Sequence, residues 1–285
     1  MNNECYFENK ETTVIEFFDF VKKIRSKDNI TNSVFTFNSL KELVENNKGK
    51  IFIGKDAAII LCKDINNIYR LTFYIKNRVA IKEVFNLVPK LDANIICDLI
   101  GKKNVIEKDK NLFESINFKL YAVFQRMVCR KIIVDESLDL SSVELAKEDD
   151  VIEILAITYD VFDPLTARIH SEKELVDLIK NQEVFVVRVG EKIAGFAIFN
   201  SIGKKVALLD HIIVRKEYRH KQIANKILYY KWKYKNASEI YYLWVNEKCD
   251  GAIKYHAGNG FKTDGIYDYI FVLDNLRSDN HALKR

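Results

Sequence analysis

The residue types best suited to chemistry gather in one stretch, Leu208-Leu209-Asp210-His211-Ile212-Ile213-Val214-Arg215-Lys216-Glu217-Tyr218-Arg219-His220-Lys221-Gln222-Ile223-Ala224. An apolar strand carries a carboxylate and an imidazole side by side, then turns through basic residues into an amphipathic helix. Ile223, Ile227, Tyr230 and Tyr234 share one face of that helix. Both Asp210 and His211 are general-base types, and an imidazole titrates near physiological pH. Strict strand alternation predicts Asp210 on the side of Ile212 and Val214, with His211 on the other. His211 reads equally well as a hydrogen-bonded core residue. Free N–H groups at a helix start, with a positive dipole end, attract anions. Arg215, Lys216, Arg219 and Lys221 add charge there, a pattern suited to a pyrophosphate. Further on stand Cys249, Tyr255 and His256: a thiol, a phenol and an imidazole. Tyr255 and His256 point about 100° apart on a helix, so at most one faces a given site. No base accompanies Cys249, which reads as packing rather than as a nucleophile.

The elements that must position these groups follow from periodicity. In the second half, Val143–Ala146 reads as a strand, and Asp149/Asp150 open a helix through Tyr159 that stops near Asp163-Pro164. Ser171-Glu172-Lys173-Glu174 resembles a capping box that opens a helix to Lys180. Strands are predicted at Val184–Val189, Ile193–Ser201 and Lys205–Val214, then a helix from His220 to Lys235. Strand Glu239–Val245, helix Asp250–Ala257 and strand Asp268–Leu273 follow. The first half has helices at Thr13–Arg25 and Asn38–Asn46 and strands at Lys50–Ile53, Ala58–Cys62 and Ile68–Ile75. Helix Val79–Leu87, strand Ala93–Leu99, a short helix Leu112–Ile116 and strand Phe118–Val128 complete it. The two halves share one element order. Phe118 in Ile116-Asn117-Phe118 parallels Phe261 in Asn259-Gly260-Phe261, which predicts an internal duplication joined by Lys131 to Leu140.

Composition bounds the rest. The chain has 285 residues, 48% hydrophobic and 30% charged, with 10 Gly and 2 Pro. It can bury a sizeable core. So little Gly and Pro excludes collagenous, low-complexity disordered and turn-dense all-β chains. A net charge of +5 does not by itself suggest nucleic acid. The basic run Arg215, Lys216, Arg219, Lys221, Lys226, Lys231, Lys233, Lys235 interleaves with Tyr229, Tyr230, Trp232 and Tyr234. Those aromatics fall at core spacing, so nucleic acid is not the expected partner. Cys5, Cys62, Cys97, Cys129 and Cys249 lack CxxC spacing, which predicts neither a metal site nor a disulfide framework. With a polar start and no apolar run near the ~18 residues of a membrane span, a cytoplasmic protein without membrane partners is expected.

Arg219-x-x-Gln222-x-Ala224 after an apolar strand resembles the Arg/Gln-x-x-Gly-x-Gly/Ala signature of the GNAT superfamily of N-acetyltransferases. Val214-Arg215-Lys216-Glu217-Tyr218-Arg219 is similar to that family's Val-x-Pro-x-Tyr-Arg. Val245 through Cys249, Ala252 and Gly260-Phe261 resemble its second signature, Val-x-x-x-Asn-x-x-Ala followed by Tyr-x-x-x-Gly-Phe. The resemblance implies an α/β fold with a mixed sheet, as two tandem GNAT-like domains, each a mostly antiparallel sheet flanked by helices. Residues 1–135 would be a degenerate domain, structural or a wall of the acceptor site, and residues 136–285 the acyltransferase domain. It implies acyl-CoA, most simply acetyl-CoA, as donor, and an amine of a small molecule or peptide as acceptor, attacked directly without a metal. Donor contacts would come from Ile212, Ile213 and Val214, from Arg219, His220, Lys221, Gln222, Ile223 and Ala224, and from Cys249. Asp210 would be the base, His211 the second choice, and His256 or Tyr255 the acid toward the leaving thiolate.

Three positions depart from the pattern. Gln222 replaces a glycine and is acceptable there if φ stays negative. Cys249 replaces Asn, and His256 replaces Tyr. A non-catalytic CoA-sensing or partner-binding protein, or an acyltransferase with another donor, is the alternative these departures raise. In the first half, Lys76-Asn77-Arg78-Val79-Ala80-Ile81 is too short for a phosphate loop and lacks Gly, which predicts lost donor binding.

Overall fold

A computed structural model describes residues 10–274 apart from 66, 134, 204, 236 and 237. Cys5 lies outside the described residues. Two compact units are present. The second is Phe124–Ile266; the first runs up to Val123 and takes in the chain from Tyr267 onward.

In the first unit, helices α1 (Lys10–Ile24) and α2 (Phe37–Glu45) flank the short strand β1 (Ile30–Thr31). Strands β2 (Gly49–Ile53), β3 (Ala57–Lys63) and β4 (Ile68–Ile75) form an antiparallel run. Helix α3 (Ile81–Leu87) crosses to β5 (Asn94–Lys102), which is parallel to β4, and α4 (Lys103–Glu114) follows. The apolar spacing of α4 begins well before the expected Leu112, because Ile106 and Phe113 both reach the core. Strand β6 (Lys119–Cys129) leaves this unit partway along.

The second unit opens with β7 (Val143–Leu145), α5 (Val151–Val161) and α6 (Glu172–Lys180). Ser171 and Glu174 make the expected reciprocal cap: the Glu174 amide donates to Ser171 Oγ at 3.3 Å, and the Ser171 amide to Glu174 Oε2 at 2.9 Å. Strands β8 (Val184–Val189), β9 (Lys192–Ile202) and β10 (Val206–Val214) continue β7 antiparallel. Helix α7 (Ile223–Tyr234) crosses to β11 (Ile240–Asn246), parallel to β10, and α8 (Asp250–Gly258) precedes β12 (Lys262–Asp274). One core lies between this sheet and α7, with Phe185, Phe199, Leu209, Ile227 and Tyr241 at its centre. The other lies under α5 and α6, with Ile154, Leu175, Val186 and Phe196.

A division at residue 135/136 is thus corrected. The second part of β6 pairs with β11, from Phe124 opposite Asn246 to Cys129 opposite Tyr241. The later part of β12 belongs with the first unit, where β12 neighbours β5. Each unit is completed by a strand from the other half of the sequence.

The duplication is visible in the backbone. Asn117 and Gly260 both adopt the left-handed conformation, with φ of 67° and 94°. The Phe118 amide donates to Phe113 O at 3.2 Å and the Phe261 amide to His256 O at 3.1 Å. Both are the six-residue closing bond that ends a helix and aims the next aromatic inward. Phe118 and Phe261 are each 1% exposed.

Candidate active site

β10 departs from strict alternation at the position that matters. Its register with β9 shifts between Leu209 and His211, so Asp210 is the extra residue of a β-bulge. A bulge bends the strand and re-aims the side chains beyond it. Ala207 and Leu209 enter the core beside α7, whereas Ile213 enters the core beneath α5 and α6. Ile212 and Val214 pack toward the α7 side. The expected opposition of Asp210 and His211 is therefore wrong: the bulge sends both toward the segment between α5 and α6.

That segment supplies a residue the sequence reading missed. His170 Nε2 lies 2.8 Å from Asp210 Oδ2. One side-chain N or O atom from each of His170, Asp210 and His211 lies within 4.8 Å of the other two. Their spacing in sequence gave no signal, since His170 sits 40 residues before Asp210 and only the chain reversal through β8 and β9 joins them. Phe162, at the end of α5, stacks on His211 with ring centroids 4.6 Å apart. Burial pushes the Asp210 carboxyl up, but the His170 hydrogen bond and the nearby His211, His170 and Arg168 charges outweigh it. Asp210 is held below its ordinary pKa and is ionised at neutral pH. Burial also holds the His211 imidazole below its ordinary value, against the pull of Asp210. His211 Nε2 is buried and has no hydrogen-bond partner among the described residues.

The sheet opens beside this group. β10 and β11 are paired only at Val206–Ile240, Ala207–Tyr241 and Leu208–Tyr242. Beyond Leu208 the two strands part, and Leu209–Val214 is paired along its β9 side alone. Ile212, Ile213 and Val214 form one lip of the split. Cys249, exposed at the N-terminal end of α8, follows the other lip.

The basic turn lies at the open end. Lys216–Tyr218 is a single 3-10 turn, and α7 begins at Ile223 rather than at His220. The reason is backbone: His220 and Gln222 both have positive φ, 63° and 60°. The condition under which an ordinary residue suits position 222, a negative φ, is therefore not met. Successive amides in such a turn form a concave nest for an anion. Lys226 is the first α7 amide to bond back, to Gln222 O at 2.8 Å. The helix therefore makes no use of the amides of Ile223, Ala224 and Asn225. Arg219 and Lys221 are exposed around the turn. Gln222 Oε1 accepts from Asn225 Nδ2 at 2.6 Å, which keeps the Gln222 side chain beside the helix start.

Two devices hold this turn down. Gly195 on β9 would place a Cβ 2.8 Å from Ile213 O and 2.8 Å from Ile223 Cγ2, so only glycine lets α7 start so close to the sheet. Arg215 Nη2 donates to Glu153 Oε1 at 2.7 Å and its Nε to Ile193 O at 2.8 Å, tying the strand end to α5 and β9.

Tyr255 and His256 stand apart from the carboxylate group in packed surroundings. The Tyr255 hydroxyl is buried without a partner among the described residues, and burial raises its pKa, with a further contribution from Tyr229. His256 packs edge-on to Phe261 at 5.7 Å, and burial lowers its pKa to about 4. Its counterpart in the duplication is Phe113, which packs edge-on to Phe118 at 6.1 Å.

Comparison with known proteins agrees with this layout. The family model of the acetyltransferase (GNAT) domain matches residues 180–263. A tandem GNAT protein from the clavulanic acid biosynthesis pathway is similar over 95% of this chain and 97% of its own, with 10% identity and a TM-score of 0.58. A GCN5-related N-acetyltransferase from Kribbella flavida is similar over 80% of this chain and 90% of its own, with 10% identity and a TM-score of 0.54. At these identities the likeness is one of fold. In sequence, a Bacillus cereus (strain Q1) protein named as a candidate cysteine ligase, BshC, is 23% identical over 230 residues, covering 75% of this chain and 41% of that protein. The chain thus spans about two fifths of the length of the curated relatives it matches. No helix among the described residues is long and apolar enough to cross a membrane. The family model thus places an acetyltransferase (GNAT) domain at residues 180–263, and the solved structures show the tandem GNAT fold.

Proposed function

We propose that the second unit transfers an acyl group from acyl-CoA, with acetyl-CoA as the donor, to an amine of a small molecule or peptide. The observation that carries this reading is the alignment of three features: an unpaired strand lip at Leu209–Val214, an amide nest at His220–Asn225 beyond it, and an ionised carboxylate within the bulge beside it. The nest takes the pyrophosphate and the lip takes the amide-bearing arm that carries the thioester. A backbone N–H near Val214 would polarise the thioester carbonyl. The amine nitrogen attacks that carbon, the C–S bond breaks, and its electrons leave on the thiolate.

The ammonium proton departs through the Asp210–His170 pair. Asp210 stays ionised and holds the ring of His170, and the imidazole or a bridging water shares the proton. Tyr255, protonated at neutral pH, is the donor available to return a proton to the thiolate. His256 is assigned to packing, since its ring is neutral, enclosed and placed where the duplicate carries a phenylalanine. In the first unit no residue of the 76–81 turn reproduces the nest, and we assign one donor site to each chain.

Calorimetric titration with acetyl-CoA, followed by thiol release over a panel of amines, tests this. One site per chain and amine-dependent thiol release are expected. No binding up to about a millimolar would remove acetyl-CoA as the donor. Binding without release from any amine would remove the transfer reaction.

A further inference from the structure

The sheet of the second unit carries a set of side chains that the acyl-transfer step does not use. The core beneath α5 and α6 contains residues of β8, β9 and β10 but none of β11 or β6. On β11, Tyr241, Leu243 and Val245 enter the opposite core. Alternation therefore places Tyr242 and Trp244 on the α5–α6 side of the sheet, where no helix of that cluster reaches them. Arg126 on β6 is directly opposite Trp244 in the register, so it shares that face. Its guanidinium lies 5.9 Å from the Tyr242 ring centroid and 6.0 Å from that of Trp244. Asp264 accepts from Arg126 Nε at 2.9 Å and from Nη2 at 2.6 Å. This pair orients the guanidinium by one edge, and the side chain is still 34% exposed.

The same face leads to the carboxylate of the bulge. Leu208 is paired with Tyr242, and Asp210 lies two residues further along β10. Burial raises the Tyr242 hydroxyl, the Arg126 charge lowers it and the Asp210 charge raises it. Tyr242 stands on β11, the strand between β10 with Asp210 and β6 with Arg126. In the strand order β10, β11, β6, this face carries a carboxylate, two aromatic rings and a guanidinium in turn. A guanidinium with a free edge selects a planar oxyanion, and the half-buried rings of Tyr242 and Trp244 select a flat body.

We propose that the acceptor amine also carries a carboxylate on a flat body, with its nitrogen at Asp210, its body on Tyr242 and Trp244, and its carboxylate on Arg126. The placement of the nitrogen rests on the acyl-transfer reading; the placement of the carboxylate rests on Arg126, Tyr242 and Trp244 alone.

The test compares 4-(aminomethyl)benzoate with benzylamine on the full chain. Both calorimetric binding and acetyl-CoA-dependent thiol release are measured, for the parent, Arg126→Gln and Trp244→Leu, with thermal melting as the check on folding. Expected are an affinity and a kcat/KM for 4-(aminomethyl)benzoate at least about tenfold above those for benzylamine. Arg126→Gln should erase that preference while the values for benzylamine stay within about twofold. Trp244→Leu should weaken both ligands. Equal affinity for the two ligands, a preference that survives Arg126→Gln, or no binding of either up to about 10 mM would overturn the proposal. Arg126-dependent binding without thiol release would support it while removing the transfer reaction, so the two failures are separable.

Discussion

The two units contain the same split between parallel strands and treat it in opposite ways. In the first unit, β4 and β5 pair at Ile68–Asn94, Tyr69–Ile95 and Arg70–Ile96 and then part. The opening is filled by the chain itself. Asn32 Oδ1 accepts from the Phe73 amide at 2.8 Å, and Asn32 Nδ2 donates to Leu71 O and to Asp98 O at 3.0 Å each. One side chain thus bridges both lips. Thr31 Oγ1 donates to Phe73 O at 2.6 Å, and β1 pairs Ile30 and Thr31 with Ile75 and Tyr74. In the second unit the matching stretch, Leu209–Val214, keeps β9 as its only strand partner. A strand edge must satisfy its amides and carbonyls with something. The first unit uses its own asparagine; the second leaves Leu209–Val214 without a strand on its β11 side, where the proposed donor would bind.

The turns after the split differ in the same sense. In the first unit Asn77 Oδ1 accepts from the Val79 amide at 3.0 Å and the Ala80 amide at 3.3 Å, so the donors of that turn are already used. In the second unit the additional turn at Arg219–Gln222, with its two left-handed residues, leaves the α7 amides unclaimed. β4 keeps a continuous register with β3, whereas β10 carries the bulge at Asp210. Under the proposed function, one donor site rather than two is thus a matter of three local differences on a shared scaffold.

Several substitutions would break or sharpen this contrast. Asp210→Asn keeps the shape of the bulge and removes the charge. Steady-state thiol release should fall by about 10³-fold in kcat/KM, about 4 kcal/mol, with acetyl-CoA affinity within about twofold. Unchanged turnover would remove the carboxylate from the mechanism.

The His256 position separates packing from catalysis through pH. Its folded pKa of about 4 lies below the ordinary value, so the unfolded chain takes up the proton first. The contribution to stability is complete above about pH 6.5 and is lost as pH falls toward 4, about 3 kcal/mol in all. His256→Phe, which installs the residue of the duplicate position, should flatten this part of the dependence in urea unfolding between pH 7.5 and 5. Turnover should stay within about twofold; a larger loss would restore His256 to the chemistry.

Asn32→Ala should lower the unfolding free energy by about 2 kcal/mol, because it leaves buried carbonyls and an amide unpaired. The acetyl-CoA stoichiometry should remain one, because the first unit also lacks the nest. A second donor site in this variant would show that the plug alone had closed the first unit. The smallest effect is expected at Gln222→Gly. A left-handed backbone costs an ordinary residue about 1 kcal/mol, and glycine also clears a side chain from the nest, so acetyl-CoA should bind several-fold tighter. Weaker binding would show that the Gln222–Asn225 bond is what shapes the turn.

Much of this was legible in the sequence, for identifiable reasons. Periodicity found α5, α6, β8, β9 and the duplicated closing motif, because alternation and helix capping act over a few residues. The place of the basic turn before an amphipathic helix was legible from its charges and the apolar period that follows. What failed was local geometry that alternation assumes away. A bulge adds one residue without leaving a mark in composition, so Asp210 and His211 were placed on opposite faces. The sign of φ at Gln222 could not be read from the sequence; the bond to Asn225 and the packing of Ile223 under Gly195 accompany its left-handed backbone. β1 was missed because two residues carry no period, and α4 was shortened because Lys103–Asn111 is mostly polar.

The sequence alone determined the fold class, the repeat, and the half that carries the basic turn, since each depends on neighbours along the chain. Tertiary structure alone decided that His170 meets Asp210, that Asn32 seals the first split, and that each unit is completed by a strand from the other half of the sequence. Those contacts join residues tens to more than a hundred positions apart, and hydrogen-bond satisfaction at a strand edge is settled only once the edge exists.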